Sequence, residues 1–444
     1  MNLAYLAQSA RRWLLLTLAC LPFANAHAQA NFSHRWAGLV FDAFTLNGNE
    51  VWTVEDGGRI RHRDNAGNWT FQVVPSEVKD TLRRIHFLPD GLTGWAVGQN
   101  GWVIQTSDGG STWTLNLHRI YAVIPGTALG EDLWDIRFLD DGVQGWIVGV
   151  HGIWETNDAG FSWQRQTLRD IFNNPIPDSN LAHYELYSMD AVKKPDDSIL
   201  GLATGQPGVV FKRQANGDWT AVWNIKQLGT FPAGDCLAAI NFIQPEGEVQ
   251  SVFEAWDIKI GRNTTTPTVI MVGGIGSHCG AAFVSHDEGA SWTREFHECD
   301  CAALQGQCTD CSGPAYNSNG QGNHLYHLKE FETLYNVGVF SDNTAIACGY
   351  SGQQVRRNLT SPTSGIWQDK SEYGDFTATS AAVIVPLEGA AVSATGSIGW
   401  VTGFGGYIRR SDDGGNSWTS QPPASPGVTP WGSPWRVRDV FFTD

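Results

Sequence analysis

Positive charge is scarce in this chain: 29 lysines and arginines stand against 45 aspartates and glutamates, a formal net charge of −16. That balance argues against nucleic acid or an anionic membrane surface as partner, because either would be repelled at long range. Charged residues of both signs together make up only 17% of the sequence. Long apolar runs are also lacking. The stretch from Trp13 to Phe23 falls short of the ~20 residues a membrane-spanning helix needs, and no later segment approaches that length. There is no Walker loop, no HExxH, no nucleophile elbow and no dinucleotide fingerprint on a strand-to-helix turn. No catalytic residue, metal ligand or cofactor is therefore assigned. Glycine and tryptophan, by contrast, are abundant at 50 and 20 residues. Such a composition suits many short strands, tight turns and repeated aromatic packing.

Residues 1–30 read as a signal peptide. Arg11 and Arg12 form a basic start, Trp13 to Phe23 an apolar core, and Ala26-His27-Ala28 or Ala28-Gln29-Ala30 a small-x-small cleavage site. Arg11-Arg12 suits either general secretion or twin-arginine export. The expected location is periplasmic or extracellular, or the thylakoid lumen if the cell is photosynthetic. Residues 31–444 are then expected to form a single, monomeric domain.

One pattern recurs four times: Thr106-x-Asp108-x-Gly110-x-x-Trp113, Thr156-x-Asp158-x-Gly160-x-x-Trp163, Ser285-x-Asp287-x-Gly289-x-x-Trp292 and Ser411-x-Asp413-x-Gly415-x-x-Trp418. This is the Asp-box, or BNR repeat. Its aspartate accepts backbone N–H bonds in a hairpin turn, its glycine supplies a positive φ, and its tryptophan packs under the next strand. Upstream lie strands with a Gly-Trp start at 94–98, 145–149 and 399–403, and further strands at 82–87, 133–138, 186–191, 237–242, 334–339 and 437–442. Weaker units keep a terminal tryptophan at Trp69, Trp219 and Trp367, which makes seven such tryptophans in all. The repeat predicts an all-β fold, a seven-bladed β-propeller of four-stranded blades, A to D, with the Asp-box between C and D. The final strand, Val437–Phe442, is expected to act as the A strand of blade one and close the ring, with residues 36–44 as its competitor.

The run Gly94-Trp95-Ala96-Val97-Gly98, continued through Asp108, Gly109, Gly110 and Trp113, resembles the photosystem II assembly and stability factor family. The resemblance covers about 45 to 440, with insertions in blades four to six. It implies a propeller without cofactor that docks onto a membrane or envelope protein complex and assists its assembly. The chain departs from that pattern in its acidity and in a cysteine-rich insertion. Sialidase-like glycosidases also carry Asp-boxes, so an enzyme acting on glycans through a carboxylate pair is the alternative. Arg59-Ile60-Arg61, however, is not the usual first-arginine motif of that class. A cell-surface adhesion or structural module is the third class.

Seven cysteines follow the signal segment. Cys299, Cys301, Cys308 and Cys311 crowd into an insertion at about 293–332, as two local disulfides or as a zinc site with nearby histidines. Disulfides are the favoured reading in an exported protein, and Cys236 with Cys279 would make a third. Cys348 aligns with Val97 and is expected to be a buried core thiol.

In a propeller the D-to-A and B-to-C loops share one face, and the Asp-box turns occupy the other. The long connections at 114–131, 164–183, 220–235 and 293–332 therefore direct attention to the D-to-A face. There the A strands begin with Arg83-Arg84, Trp134-Asp135, Tyr187-Ser188, Tyr335-Asn336 and Arg438-Asp439. Arg84, Trp134, Asp135, Tyr187, Tyr335, Asn336 and Asp439 are the candidate binding residues for a peptide segment or a glycan. Hydrogen bonding along a water-filled channel is the alternative role for the polar members.

Overall fold

The computed structural model describes residues 40–442 apart from 46–49, 116–118, 122–129, 226–236, 238–252, 262–266, 276–278, 297–330, 371–386, 393–397, 404–406, 421–440 and a few single or paired positions. Residues 1–39 and most of the cysteine-rich insertion thus lie outside the described residues.

Among the described residues the strands form seven sheets, each built on an antiparallel four-stranded meander. The second sheet is typical: Leu82–Phe87 (A), Gly94–Gly98 (B), Val103–Thr106 (C) and Thr114–Leu115 (D). Its B strand is buried at all five positions, because neighbouring sheets cover both faces of a middle strand. The D strand is exposed at both of its positions. The other A strands are Val40–Thr45, Leu133–Phe138, Glu185–Lys193, Glu254–Ile260, Leu334–Val339 and Leu387–Val392.

The core lies between the sheets. A strands of consecutive sheets touch one another from first to seventh, and apolar clusters fill the spaces between them. Phe44 and Trp52 of the first sheet meet Phe87 and Trp113 of the second. Trp95 of the second stacks on Phe138 of the third, ring centres 3.6 Å apart. Each fully buried phenylalanine of this kind contributes about 1.5–3 kcal/mol.

The four hairpin turns explain the recurring motif. Thr106 Oγ1 donates to Asp108 Oδ1 (2.8 Å) and accepts from the Gly110 amide (2.9 Å), while Asp108 accepts the Thr112 amide and hydroxyl. The same bonds recur at 156–162, 285–291 and 411–417. Gly110 and Gly160 have φ of +87° and +85°, and a Cβ would lie 2.9 and 2.8 Å from Nε1 of Trp52 and Trp95 respectively. The Trp52 indole donates to the Gly109 carbonyl at 2.9 Å. Each of these two turns therefore closes its own hairpin and also rests on the preceding sheet. Glycine is needed twice over, for conformation and for room.

Three sequence expectations are corrected. The A strand of the fifth sheet is Glu254–Ile260 rather than 237–242, of which only Leu237 is described. In the first sheet Val40–Thr45, not the final strand, pairs with Val51–Glu55 as the A strand. Phe441–Phe442 instead adds a fifth strand, parallel to Val40–Thr45, and touches Leu387–Val392 of the last sheet. Finally, Leu168–Arg169, expected to be a loop, pairs in parallel with the D strand Trp219–Asn224 of the fourth sheet.

Candidate functional site

Every A strand carries the same irregularity. Opposite its B strand the register skips one residue, between Val40 and Asp42, Leu82 and Arg84, Leu133 and Asp135, Leu186 and Ser188, Ala255 and Asp257, Leu334 and Asn336, and Leu387 and Gly389. A bulge of this kind re-aims the extra side chain and leaves the next residue at a fixed inner position. The registers pair the start of A with the end of B, as in Leu82 with Gly98, whereas Phe87, Gly94 and Thr106 share the opposite edge with the Asp-box. The bulge and the Asp-box therefore lie at opposite edges of this sheet, and the third sheet repeats the register.

The skipped residues of five consecutive sheets are Arg83, Trp134, Tyr187, Trp256 and Tyr335, and they form one arc. The Arg83 guanidinium carbon lies 3.9 Å from the Trp134 ring centre. Trp134 meets Tyr187 edge-on at 5.3 Å, Tyr187 stacks on Trp256 at 4.7 Å and 13°, and Trp256 meets Tyr335 edge-on at 5.5 Å. These are the offset-stacked and T-shaped geometries that aromatic quadrupoles favour. Tyr187 is buried, and Trp134, Trp256 and Tyr335 are half-buried. The Tyr187 hydroxyl donates to Glu185 at 3.2 Å, and Arg83 pairs with Asp132 at 3.0 Å.

Beneath the arc sit the residues that follow each bulge: Asp42, Arg84, Asp135, Ser188, Asp257 and Asn336. Asp42 takes the Ala43 amide on one oxygen and the Ile85 amide of the next sheet on the other, both at 2.8 Å. Asp135 does the same with Ile136 and Met189, and Asp257 with Ile258 and Val337. Asp190 repeats the clasp two residues further along its strand, with Ala191 and Ile260. Ser188 donates to Asp257 at 2.5 Å, and Lys259 pairs with Asp257 at 2.6 Å. Arg84 reaches Asp135 at 2.9 Å and Asp42 at 3.8 Å. Burial pushes the Asp42 carboxyl up to about 6, against the pull of the more distant Arg84. Burial acts to lower the Arg84 pKa, yet Asp135, Asp42 and Asp257 together hold it above its ordinary value. The two shifts agree once distance is considered: Arg84 serves Asp135 first, so burial prevails at Asp42.

The structure thus separates the candidates into two tiers. Trp134, Tyr187 and Tyr335 join the arc. Arg84, Asp135 and Asn336 lie in the buried polar row beneath it, and Asp439 lies outside the described residues. Sequence reasoning missed Trp256, Asp257 and Asp42. A signal was present in the Trp-Asp pair, which stands at 134–135 and again at 256–257, but the fifth A strand had been placed too early. Cys279 is disulfide-bonded, and Cys348 is a buried thiol packed with Phe340, Ile346 and Val401. Cys236, Cys299, Cys301, Cys308 and Cys311 lie outside the described residues. The Asp-box carboxylates remain acidic. At Asp108 the Thr112 hydroxyl and amide lower the pKa, and at Asp413 the Ser417 hydroxyl and amide outweigh burial and bring it down to about 2. Among the described residues no helix is long and apolar enough to cross a membrane.

No family model matches the chain. The photosystem II assembly lipoprotein Ycf48 of Synechococcus sp. (strain CC9902) is 25% identical over 264 residues, covering 52% of this chain and 68% of the relative. Among solved structures, Saccharomyces cerevisiae Sqt1 aligns with a TM-score of 0.50 at 9% identity, over 89% of this chain and 92% of that one. Ycf48 bound to D1 peptide aligns with a TM-score of 0.41 at 14% identity, over 87% and 82% of the two chains. Taken with the seven repeated sheets, the Sqt1 alignment identifies the chain as an all-β propeller, and the Synechococcus relative is a photosystem II assembly protein that it resembles in sequence.

Proposed function

We propose that this chain is an exported, non-catalytic assembly factor that holds a protein client at the arc formed by Arg83, Trp134, Tyr187, Trp256 and Tyr335. In this reading the seven sheets close into one monomeric ring through the contact of Phe441–Phe442 with both the first and last sheets. The mature protein docks on an envelope or membrane complex. The observation that carries the reading is the arc: five consecutive sheets place an aromatic or guanidinium group at the same bulged position. Tryptophan, tyrosine and arginine are the residue types that dominate binding hot spots. The carboxylates behind the arc are engaged by backbone amides and cations of neighbouring sheets, which favours binding over acid–base chemistry there. A sequence relative named for the assembly of a membrane complex favours a protein client.

The test is affinity capture from the native envelope extract with the full chain and with the double variant Trp134→Ala, Tyr335→Ala. A client retained by the wild type and lost by the double variant, with an unchanged circular-dichroism melt, is the expected result. Capture of the same client by both proteins would remove the arc from the reading.

A further inference from the structure

At its Arg83 end the arc continues outward over the second sheet. Asp132, which pairs with Arg83 at 3.0 Å, also accepts the Asn100 amide at 3.3 Å. Asn100 lies in the turn between the B and C strands, in the left-handed region at φ +57°. Its carbonyl accepts Nε of Arg119 at 2.9 Å and Nη2 of the same guanidinium. Arg119 belongs to the connection between the second and third sheets. The two ends of that connection are tied by the Tyr121–Gly130 bridge and by the Glu131 amide, which donates to the Ile120 carbonyl at 2.8 Å. The guanidinium carbon of Arg119 lies 4.0 Å from the Trp102 ring centre and 5.9 Å from that of Tyr121. A half-buried cation is thus fixed on ordered backbone beside an exposed tyrosine.

The counter-charge is missing. The carboxylates bonded to this framework are all committed elsewhere: Asp80 takes the Trp102 indole N–H at 2.8 Å, Asp132 takes Arg83, and Glu131 takes the His151 amide at 2.8 Å. From Ser111 to Gly130 the sequence holds no aspartate or glutamate. Nη1 of Arg119 donates to no described residue. The inner end of the network is short of acceptors as well. Nε and Nη1 of Arg83 and Nε1 of Trp134 are buried without a hydrogen-bond partner among the described residues. A cluster with more donors than acceptors is completed by a group that brings acceptors alone, and a carboxylate is such a group.

We infer that the client site extends from the arc onto Arg119 and Tyr121, and that Arg119 receives a carboxylate of the client polypeptide while Tyr121 packs against the residues beside it. The inference rests on the arc being the client site and adds the chemistry of the client. Asn100 and Trp102 hold the guanidinium in one orientation, so little side-chain freedom is lost when the carboxylate arrives. The formal net charge of −16 opposes a client that is acidic throughout. The site therefore suits an isolated carboxylate in an otherwise neutral or basic segment.

The experiment is isothermal titration of the full chain with three short Gly/Ser/Leu peptides. The first is capped at both ends and carries one central glutamate, the second is its glutamine twin, and the third is the twin with a free C-terminal carboxylate. The glutamate peptide is expected to bind at least about tenfold more tightly than its twin, the fold-change of one charge-assisted hydrogen bond. A gain confined to the third peptide would support the inference with the chain end as the source of the carboxylate. Arg119→Gln should abolish the preference, and Arg119→Lys should keep part of it, because the charge stays while the planar fork is lost. Arg410→Gln, beside the Asp-box of the seventh sheet, removes the same charge elsewhere and should leave the preference intact. Equal binding of all three peptides to the wild type overturns the inference without use of any variant. An unchanged preference in a folded Arg119→Gln protein also overturns it, by placing the carboxylate at another cation. Either failure leaves the arc standing as client site if the Trp134→Ala, Tyr335→Ala variant still loses its client. If that variant keeps its client, the arc itself is wrong.

Discussion

Among the described polar residues that follow the bulges, Arg84 is the cation shared between neighbouring sheets, reaching Asp135 at 2.9 Å and Asp42 at 3.8 Å from strands of sheets three and one. Replacing it by methionine keeps much of the aliphatic volume and removes the charge. Breaking a buried ion pair from one side costs about 3–5 kcal/mol. The pH dependence makes the expectation specific. Asp42 has its pKa raised from 3.8 to about 6 in the wild type. A raised carboxyl means that the folded state binds the proton more tightly. Stability contributed by this group is present below pH ~4 and is lost as pH rises through ~6, a change of about 3 kcal/mol. Without Arg84 the Asp42 carboxyl moves further up, so the loss extends to higher pH. Arg84→Met should therefore be about 3–5 kcal/mol less stable at pH 8. At pH 5, where Asp42 is protonated, it should recover only the share that belongs to that carboxyl, the closer contact with Asp135 being lost at both. Urea unfolding at both pH values measures this, provided tryptophan fluorescence and circular dichroism give coincident transitions. An equal loss at pH 5 and pH 8 would falsify the role given to Asp42 and leave the Asp135 contact and lost packing as the cause. No loss at either pH would show that these buried carboxylates need no shared cation.

Further expectations concern the turns and the thiols. Gly110→Ala should destabilise by about 2–4 kcal/mol, since it combines a positive φ with a Cβ 2.9 Å from Trp52 Nε1, whereas Gly57→Ala, at φ +65° with nothing within 4 Å, should lose only ~1 kcal/mol. Similar losses for the two variants in chemical denaturation would remove the contact with Trp52 from the argument. Asp413 is depressed to about 2, so its contribution is present above pH ~4 and fades as pH falls through ~2. Asp413→Asn should accordingly flatten the acid limb of a stability–pH profile between those values, and an unaltered limb would contradict that. Thiol titration of the unfolded mature protein without reductant should find one reactive group, Cys348, and five would sink the disulfide scheme.

The hairpin turns and the strand types were legible in the sequence because the forces that make them are local. Thr106, Asp108, Gly110 and Thr112 satisfy one another within seven residues, so the motif announces its own turn wherever it occurs. The Gly-Trp starts at 94 and 145 were legible for a related reason: each marks a strand buried at all five positions. The edge at which the A strands begin also followed, since the direction of each strand is set once its hairpins are known. The Trp256–Asp257 member of the site did not follow. The fifth sheet follows a long connection, and a local apolar run at 237–242 competes with the true strand at Glu254–Ile260 for the same pattern.

Two decisions belonged to the tertiary structure alone. The first is that Val40–Thr45 takes the inner position beside Val51–Glu55, leaving Phe441–Phe442 to pair outside it. Both segments are apolar and extended, and pairing across nearly the whole chain length chooses between them. The second is the split of neighbouring residues into two roles. Trp134 and Asp135 are adjacent in sequence, yet a bulge sends one to the arc and the other to the amide of Met189. A one-residue bulge is invisible to a period-two pattern, because it is defined by the register of the partner strand. The arc exists only because that bulge repeats in sheets whose bulged residues run from 83 to 335 in the chain. Sequence alone therefore determined what each sheet is made of, and the packing of sheet against sheet decided which side chains meet.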